Sequence, residues 1–141
     1  MHLPITPKLI VRNSMKRQIK CRALELDTGN WVYGGFVSID GYAMSNGVPD
    51  LNEPVTRYYI FQDGERREVA EETVGQFTGL LDHSDVEVYE HDIMEDPEGR
   101  VFQVVYADGG FTLANYSDEY IYWGDMKVIG NIHQNPELLE K

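Results

Sequence analysis

Tight-turn signals recur along this chain at short intervals, and they limit what it can become. Asp27-Thr28-Gly29-Asn30, Asp63-Gly64, Asp96-Pro97-Glu98-Gly99 and Asp108-Gly109-Gly110 each put Gly, Asn or Asp where a chain reversal needs a positive φ or a side-chain bond to the backbone. Between these signals lie short runs rich in Tyr, Phe, Val and Ile, the residues that suit a pleated surface. No long segment keeps a helical period. The pattern therefore predicts an all-β domain, a small barrel or sandwich of many short strands.

Met15 to Leu24 opens the strand pattern, with Gln18, Lys20 and Arg22 alternating with Ile19, Cys21 and Ala23, so that the second set is expected to face the core. Trp31 to Ile39 is a second strand, interrupted at Gly34-Gly35 by a bulge or a close backbone approach. Asp40-Gly41 and Asn46-Gly47 then predict a turn-rich insert running to Pro54, before a third strand over Val55 to Phe61. Glu68 to Leu81 reads two ways: Val74, Phe77, Leu80 and Leu81 could line a helix face, but Gly75 and Gly79 would each cost a helix about 1 kcal/mol, which favours extended chain with turns. Strands follow at Val86–Tyr89, Ile93-Met94, Val101–Tyr106, Phe111–Leu113, Glu119–Trp123 and Met126–Ile132. Asn135-Pro136-Glu137 starts a short C-terminal helical turn that docks Leu138 and Leu139.

At 141 residues the chain suits one domain: residues 1–14, with two prolines and no periodicity, form a flexible N-terminal extension, and residues 15–141 form a single β domain. The apolar runs are too short for a membrane helix, the N-terminus lacks a signal-peptide core, and a lone Cys21 rules out an internal disulfide. A cytoplasmic location is expected on these grounds. Charge is uneven. Six Lys and Arg precede the first acid, Glu25, so the head carries +6 and the remainder −18 of the net −12. Between Glu68 and Gly99 there are eleven Asp and Glu and no Lys or Arg, a surface that opposes a phosphate backbone.

Three blocks resemble one known family. MKRQIKCRALE at Met15–Glu25, TVGQFTGLLDHSDVEVYEHDIM at Thr73–Met94 and KVIGNIHQNPELL at Lys127–Leu139 are similar, in order, to segments of the YopX family of small phage and prophage proteins. The resemblance implies an SH3-like small barrel or barrel-like sheet, a phage setting, and no established activity. Two glycines common in the family are replaced. Tyr89-Glu90-His91-Asp92-Ile93 stands where the family has Tyr-Glu-Gly-Asp-Ile, and Asp82-His83-Ser84-Asp85-Val86 lacks the usual turn glycine. His and Asp enter left-handed backbone more readily than most residues, so both turns are expected to survive with some strain.

The chemistry-bearing residues form no recognised catalytic, cofactor or metal motif. His83, Asp85, Glu90, His91 and Asp92 are metal-ligating types, but zinc-type spacing is missing and a calcium loop fails at Val86. Turn chemistry explains them instead. Cys21 shares a strand face with Ile19 and Ala23, the place of a small buried hydrophobe. Tyr58, Tyr59, Phe111, Tyr120, Tyr122 and Trp123 are expected as core and cross-strand pairs in place of a base-stacking platform. The sequence thus points to a protein without catalysis, metal or cofactor, working by contact with an unidentified protein. The expected partner surface is the acidic set Glu87, Glu90, Asp92, Glu95 and Asp96, meeting a basic partner. Self-association is expected from exposed strand edges and the many tyrosines. The rival reading is a nucleic-acid-binding small barrel that uses the basic N-terminal strand.

Overall fold

The computed structural model describes residues 18–140, whose regular elements are strands and short 3-10 turns. The expected extension at 1–14 and the first residues of the expected opening strand lie outside the described residues. Ten strands follow one another: β1 (Cys21–Leu24), β2 (Trp31–Ser45), β3 (Val48–Gln62), β4 (Glu65–Glu68), β5 (Gly75–Leu81), β6 (Glu87–Tyr89), β7 (Asp92–Glu95), β8 (Val101–Ala107), β9 (Gly110–Leu113) and β10 (Lys127–Asn131). They form two antiparallel sheets, one ordered β4-β3-β2-β1-β5-β6 and the other β10-β7-β8-β9.

The turn chemistry places the reversals where the sequence puts them. Asp63 and Gly64 both take positive φ (52° and 78°) between β3 and β4, as a two-residue hairpin of the right twist requires. Asn46 and Gly47 do the same between β2 and β3 (51° and 79°). The segment expected as a turn-rich insert is therefore a β-ribbon. Asp40-Gly41 does not turn: Asp40 pairs with Thr56 and Gly41 with Val55, and only a bulge between Tyr42 and Met44 interrupts the ladder. A single strong turn at Asn46-Gly47 lets the flanking residues keep pairing, and the Asp-Gly signal is overridden.

The larger sheet curls. Val69, just past β4, bridges Glu25, just past β1, and the Leu26 and Ala70 N–H groups donate to the Glu68 and Leu24 carbonyls at 3.0 Å. The curl encloses Ala23, Val32, Ile60 and Val69, with Cys21, Tyr58 and Val74 packed around them. Gly34 makes the curl possible, because a Cβ there would stand 1.8 Å from the Phe61 carbonyl oxygen. The arrangement is barrel-like, but the sheets are not closed. A second core packs Val88 of β6 against Met94, Val104 and Leu113 of the smaller sheet and Met126 just before β10, beneath Phe102, Tyr116, Ile121, Trp123 and Val128. Each fully buried side chain of this size contributes about 1.5–3 kcal/mol.

Two expectations are corrected here. Glu119–Trp123 is not a strand. It is irregular chain leading into a 3-10 turn at Trp123–Asp125, with Tyr120 and Tyr122 exposed and Ile121 and Trp123 reaching the core. Ile19, which precedes β1, is 75% exposed, while Arg22, assigned to the solvent face, is buried against Trp31, Tyr89 and Asp92. Glu68–Leu81 is extended chain with a 3-10 turn at Glu71–Thr73, as expected, and the C-terminal turn is a 3-10 turn over Pro136–Glu140.

Candidate functional site

The least explained surface is the outer part of the β2–β3 ribbon. β1 flanks β2 only over Trp31–Gly34, and β4 flanks β3 only over Tyr59–Gln62. Beyond those limits the two strands pair only with each other among the described residues. Phe36, Ile39, Tyr42, Met44, Val48 and Leu51 stand 39–72% exposed along this arm. Three contacts stiffen it: Phe36 stacks on Tyr58 with ring centroids 6.2 Å apart, Thr56 Oγ1 donates to Asp40 at 2.8 Å, and Arg57 reaches the Tyr42 carbonyl at 3.5 Å. None of these covers the apolar side chains. An isolated two-stranded ribbon is marginal in water, and this one carries exposed apolar side chains on both faces, Phe36 and Tyr42 on one and Ile39 on the other, which makes it a candidate for contact with a partner.

The acidic set expected as a partner surface divides. Glu87 is half-exposed, pairing with Lys20 at 2.7 Å and accepting from the Tyr89 hydroxyl at 3.1 Å. Glu90 and Glu95 are also half-buried. Asp92 and Asp96 are not on the surface; they are 1% and 6% exposed, and both are structural acceptors. Asp92 takes the Arg22 guanidinium and the Tyr89 N–H, each at 2.7 Å. Burial pushes its carboxyl above the usual range, against the opposing pull of Arg22 and the Tyr89 N–H.

Asp96 accepts from the backbone N–H groups of Glu98 (3.0 Å) and Arg100 (2.8 Å), and from Arg100 Nε at 2.7 Å. Asp82 makes the same turn from a different sequence. Its carboxylate takes the N–H groups of Ser84 (2.7 Å) and Val86 (2.9 Å), and also that of Val128 on β10 at 2.9 Å. In each turn the fourth residue has positive φ, Asp85 at 63° and Gly99 at 84°. Burial raises both carboxyls, but the converging N–H donors outweigh it and hold them below the usual range. Asp82 thus ties the connection after β5 to the smaller sheet. It was overlooked at the sequence level because its third donor is 46 residues away.

The Arg22 guanidinium lies over Trp31 (4.3 Å to the ring centroid) and Tyr89 (4.8 Å), and with Asp92 it fills the junction between the sheets. His91 adjoins this junction with φ of 78°, the left-handed conformation expected where the family has glycine. Its Nδ1 is 3.3 Å from His133 Nε2, and the rings meet edge to face. Among the described residues no three His, Cys, Asp or Glu side chains converge as a metal would require. Burial, with the nearby Glu90 adding, raises the Cys21 thiol above its usual range and keeps it protonated. No helix among the described residues is long and apolar enough to cross a membrane.

No curated protein matches the chain. Among solved structures it is similar to that of protein EF1440 from Enterococcus faecalis, with a TM-score of 0.51 and 24% identity over 88% of this chain and 99% of that one. That likeness bears on the fold alone. The YopX protein family matches residues 20–140, which include nearly all of the described structure. The chain therefore belongs to the YopX family.

Proposed function

We propose that this chain is a non-enzymatic accessory protein, in the phage or prophage setting that the family resemblance suggests, and that it works by protein–protein contact through the β2–β3 arm. The observation that carries the reading is the arm itself, an ordered two-stranded ribbon whose apolar side chains are left exposed by the described residues. Exposed acids on the body, among them Glu65, Glu68, Glu71, Glu72 and Glu98, add long-range attraction for a basic partner and oppose phosphate. A nucleic-acid reading that uses the basic first strand finds less support. Lys20 is engaged by Glu87 and Arg22 by Asp92. Replacing residues 39–57 by Asn-Gly joins Ser38 to its register partner Tyr58 through a hairpin turn and removes the arm. The two chains, used as paired baits against a bacterial lysate, should differ by proteins retained only by the full chain. Identical retention would overturn the proposal.

A further inference from the structure

Beyond Asn131 the chain makes a turn that is packed lightly. Asn131 Oδ1 accepts the His133 and Gln134 N–H groups, each at 3.0 Å, and none of residues 132–140 is buried. The polar contacts that tie this C-terminal turn to the other described elements meet in one place. The Ile132 N–H donates to the His91 carbonyl at 3.0 Å, Trp31 Nε1 donates to Gln134 Oε1 at 3.1 Å, and His91 Nδ1 lies 3.3 Å from His133 Nε2. His91 takes part in the first and the last of these. It is itself anchored on the smaller sheet, where its N–H donates to the Val104 carbonyl at 2.9 Å.

Two facing imidazole nitrogens can share one extra proton but not two. In a neutral pair one ring donates to the other, and a singly protonated pair bonds more strongly because its donor is charged. A second proton makes both nitrogens donors and sets two like charges on rings whose centroids are 5.1 Å apart. From this geometry we infer that His91 and His133 form a proton-operated latch, which holds the C-terminal turn against Trp31 at neutral pH and releases it once both rings are charged. Arg22 of β1 and Glu72 of the Glu71–Thr73 turn face His133, while Glu90 and Asp92 flank His91. Glu90, 3.8 Å from His91 Nε2, favours the first proton on His91. Asp92 is already paired with Arg22, and burial and Arg22 together outweigh Glu72 in delaying the second proton on His133. Little buried surface opposes release, since a segment with few buried contacts opens locally at low cost. Release bares the Trp31 ring, whose centroid is 6.3 Å from that of His133.

Proton–nitrogen correlation spectra of the full chain from about pH 7.5 to about pH 5 test the latch, with the histidine Cε1–H signals reporting the protonation of each ring. The Trp31 Nε1–H signal and those of residues 132–140 should move to unstructured positions as the second of the two rings gains its proton, while the Val104 signal in β8 stays in place. His91→Gly suits the left-handed backbone and keeps the carbonyl that binds Ile132, but it removes one ring. Its turn should stay docked over the whole range. A parent turn still docked at about pH 5, or released only together with loss of the Val104 signal, would overturn the inference. Release at the same pH in His91→Gly would also overturn it and assign the titration to Asp92, whose loss of charge frees Arg22. If His91→Gly is undocked already at neutral pH, the parent decides: release on the second imidazole proton supports the latch, and release before it refutes the latch.

Discussion

Arg22 and Asp92 stand seventy residues apart in the chain and 2.7 Å apart in the fold, with their side chains 9% and 2% exposed. This pair joins the larger sheet to the smaller one. β1 supplies the guanidinium and β7 the carboxylate, and the Trp31 and Tyr89 rings exclude water from the cation. Removing one partner of a buried pair leaves an uncompensated charge, which costs about 3–5 kcal/mol, whereas replacing both by apolar groups is often near neutral. Asp92→Asn should therefore lower the urea midpoint by a shift corresponding to about 3 kcal/mol or more. Arg22→Met with Asp92→Leu should recover most of that loss. Equal losses from the single and double variants would show that the pair does not act as a unit.

What was legible in the sequence follows from how local each determinant is. The Asp63-Gly64 hairpin and the Asp96–Gly99 turn are complete within a few residues, and both appear as expected. The positive φ of His91 was legible through the glycine that the family places there, whereas within Asp82–Val86 the sequence did not single out Asp85, which takes it in place of His83. The ribbon was hidden because Asp40-Gly41 and Asn46-Gly47 are equally good turn signals, and pairing between distant strands decides which one is used. The assignment of Asp92 and Asp96 to the surface failed because a run of acids looks solvated until a buried arginine or a ring of N–H donors is found. Arg22 and Asp92 are each ordinary alone, and their spacing of seventy residues carries no periodic signal.

Asp82 and Asp96 permit a comparison of one turn in two contexts. Both carboxyls have folded pKa values below their unfolded ones, so the stability they contribute is present above about pH 4 and is lost as pH falls through the folded values. Asp82→Ala leaves three backbone N–H groups without acceptors, one of them on β10. With an unsatisfied buried group costing about 1–3 kcal/mol, the loss should be about 3 kcal/mol. Asp96→Ala strands two backbone N–H groups on a more open turn, and should cost about 2 kcal/mol. Denaturant titrations at neutral pH should rank the two in that order, and both variants should show a flatter stability profile below pH 4.

His133 is held below the ordinary imidazole range by burial, with His91 and Arg22 adding to the effect and Glu72 opposing it. The His91 and Trp31 rings pack against His133, the Arg22 guanidinium lies over Trp31, and Glu90 approaches His91 Nε2 at 3.8 Å. The folded chain binds this proton at a lower pH than the unfolded chain. The stability that neutral His133 contributes is thus whole above about pH 6.5 and is lost as pH falls through 6.5 toward the folded value. Melting temperature should drop between pH 7.5 and 5.5, and His133→Gln should flatten that slope. At position 91, the left-handed backbone should make Ala worse than Gly by about 1 kcal/mol, an order that urea titration of the two variants checks.

Glu95 and Asp125, which take part in no side-chain hydrogen bond or ion pair among the described residues, should destabilise the fold, and this sets them apart from Asp82, Asp92 and Asp96. Glu95, Asp96 and Asp125 line one shallow pocket with Lys127 as its only Lys or Arg. Asp96 is occupied by N–H donors, while Glu95 is half-buried and Asp125 exposed. Neutralising either of the last two removes repulsion and leaves no backbone donor unsatisfied. Glu95→Gln and Asp125→Asn should each raise stability by about 0.5 kcal/mol at low salt, and the gain should shrink at about 0.5 M NaCl, where screening already weakens the repulsion. Asp96→Asn, a few ångströms away and identical in charge change, should instead lower stability at both salt concentrations, because the amide nitrogen turns one of its acceptor positions into a donor facing Arg100. If all three substitutions move the melting temperature the same way, the division between structural and surface acids is wrong.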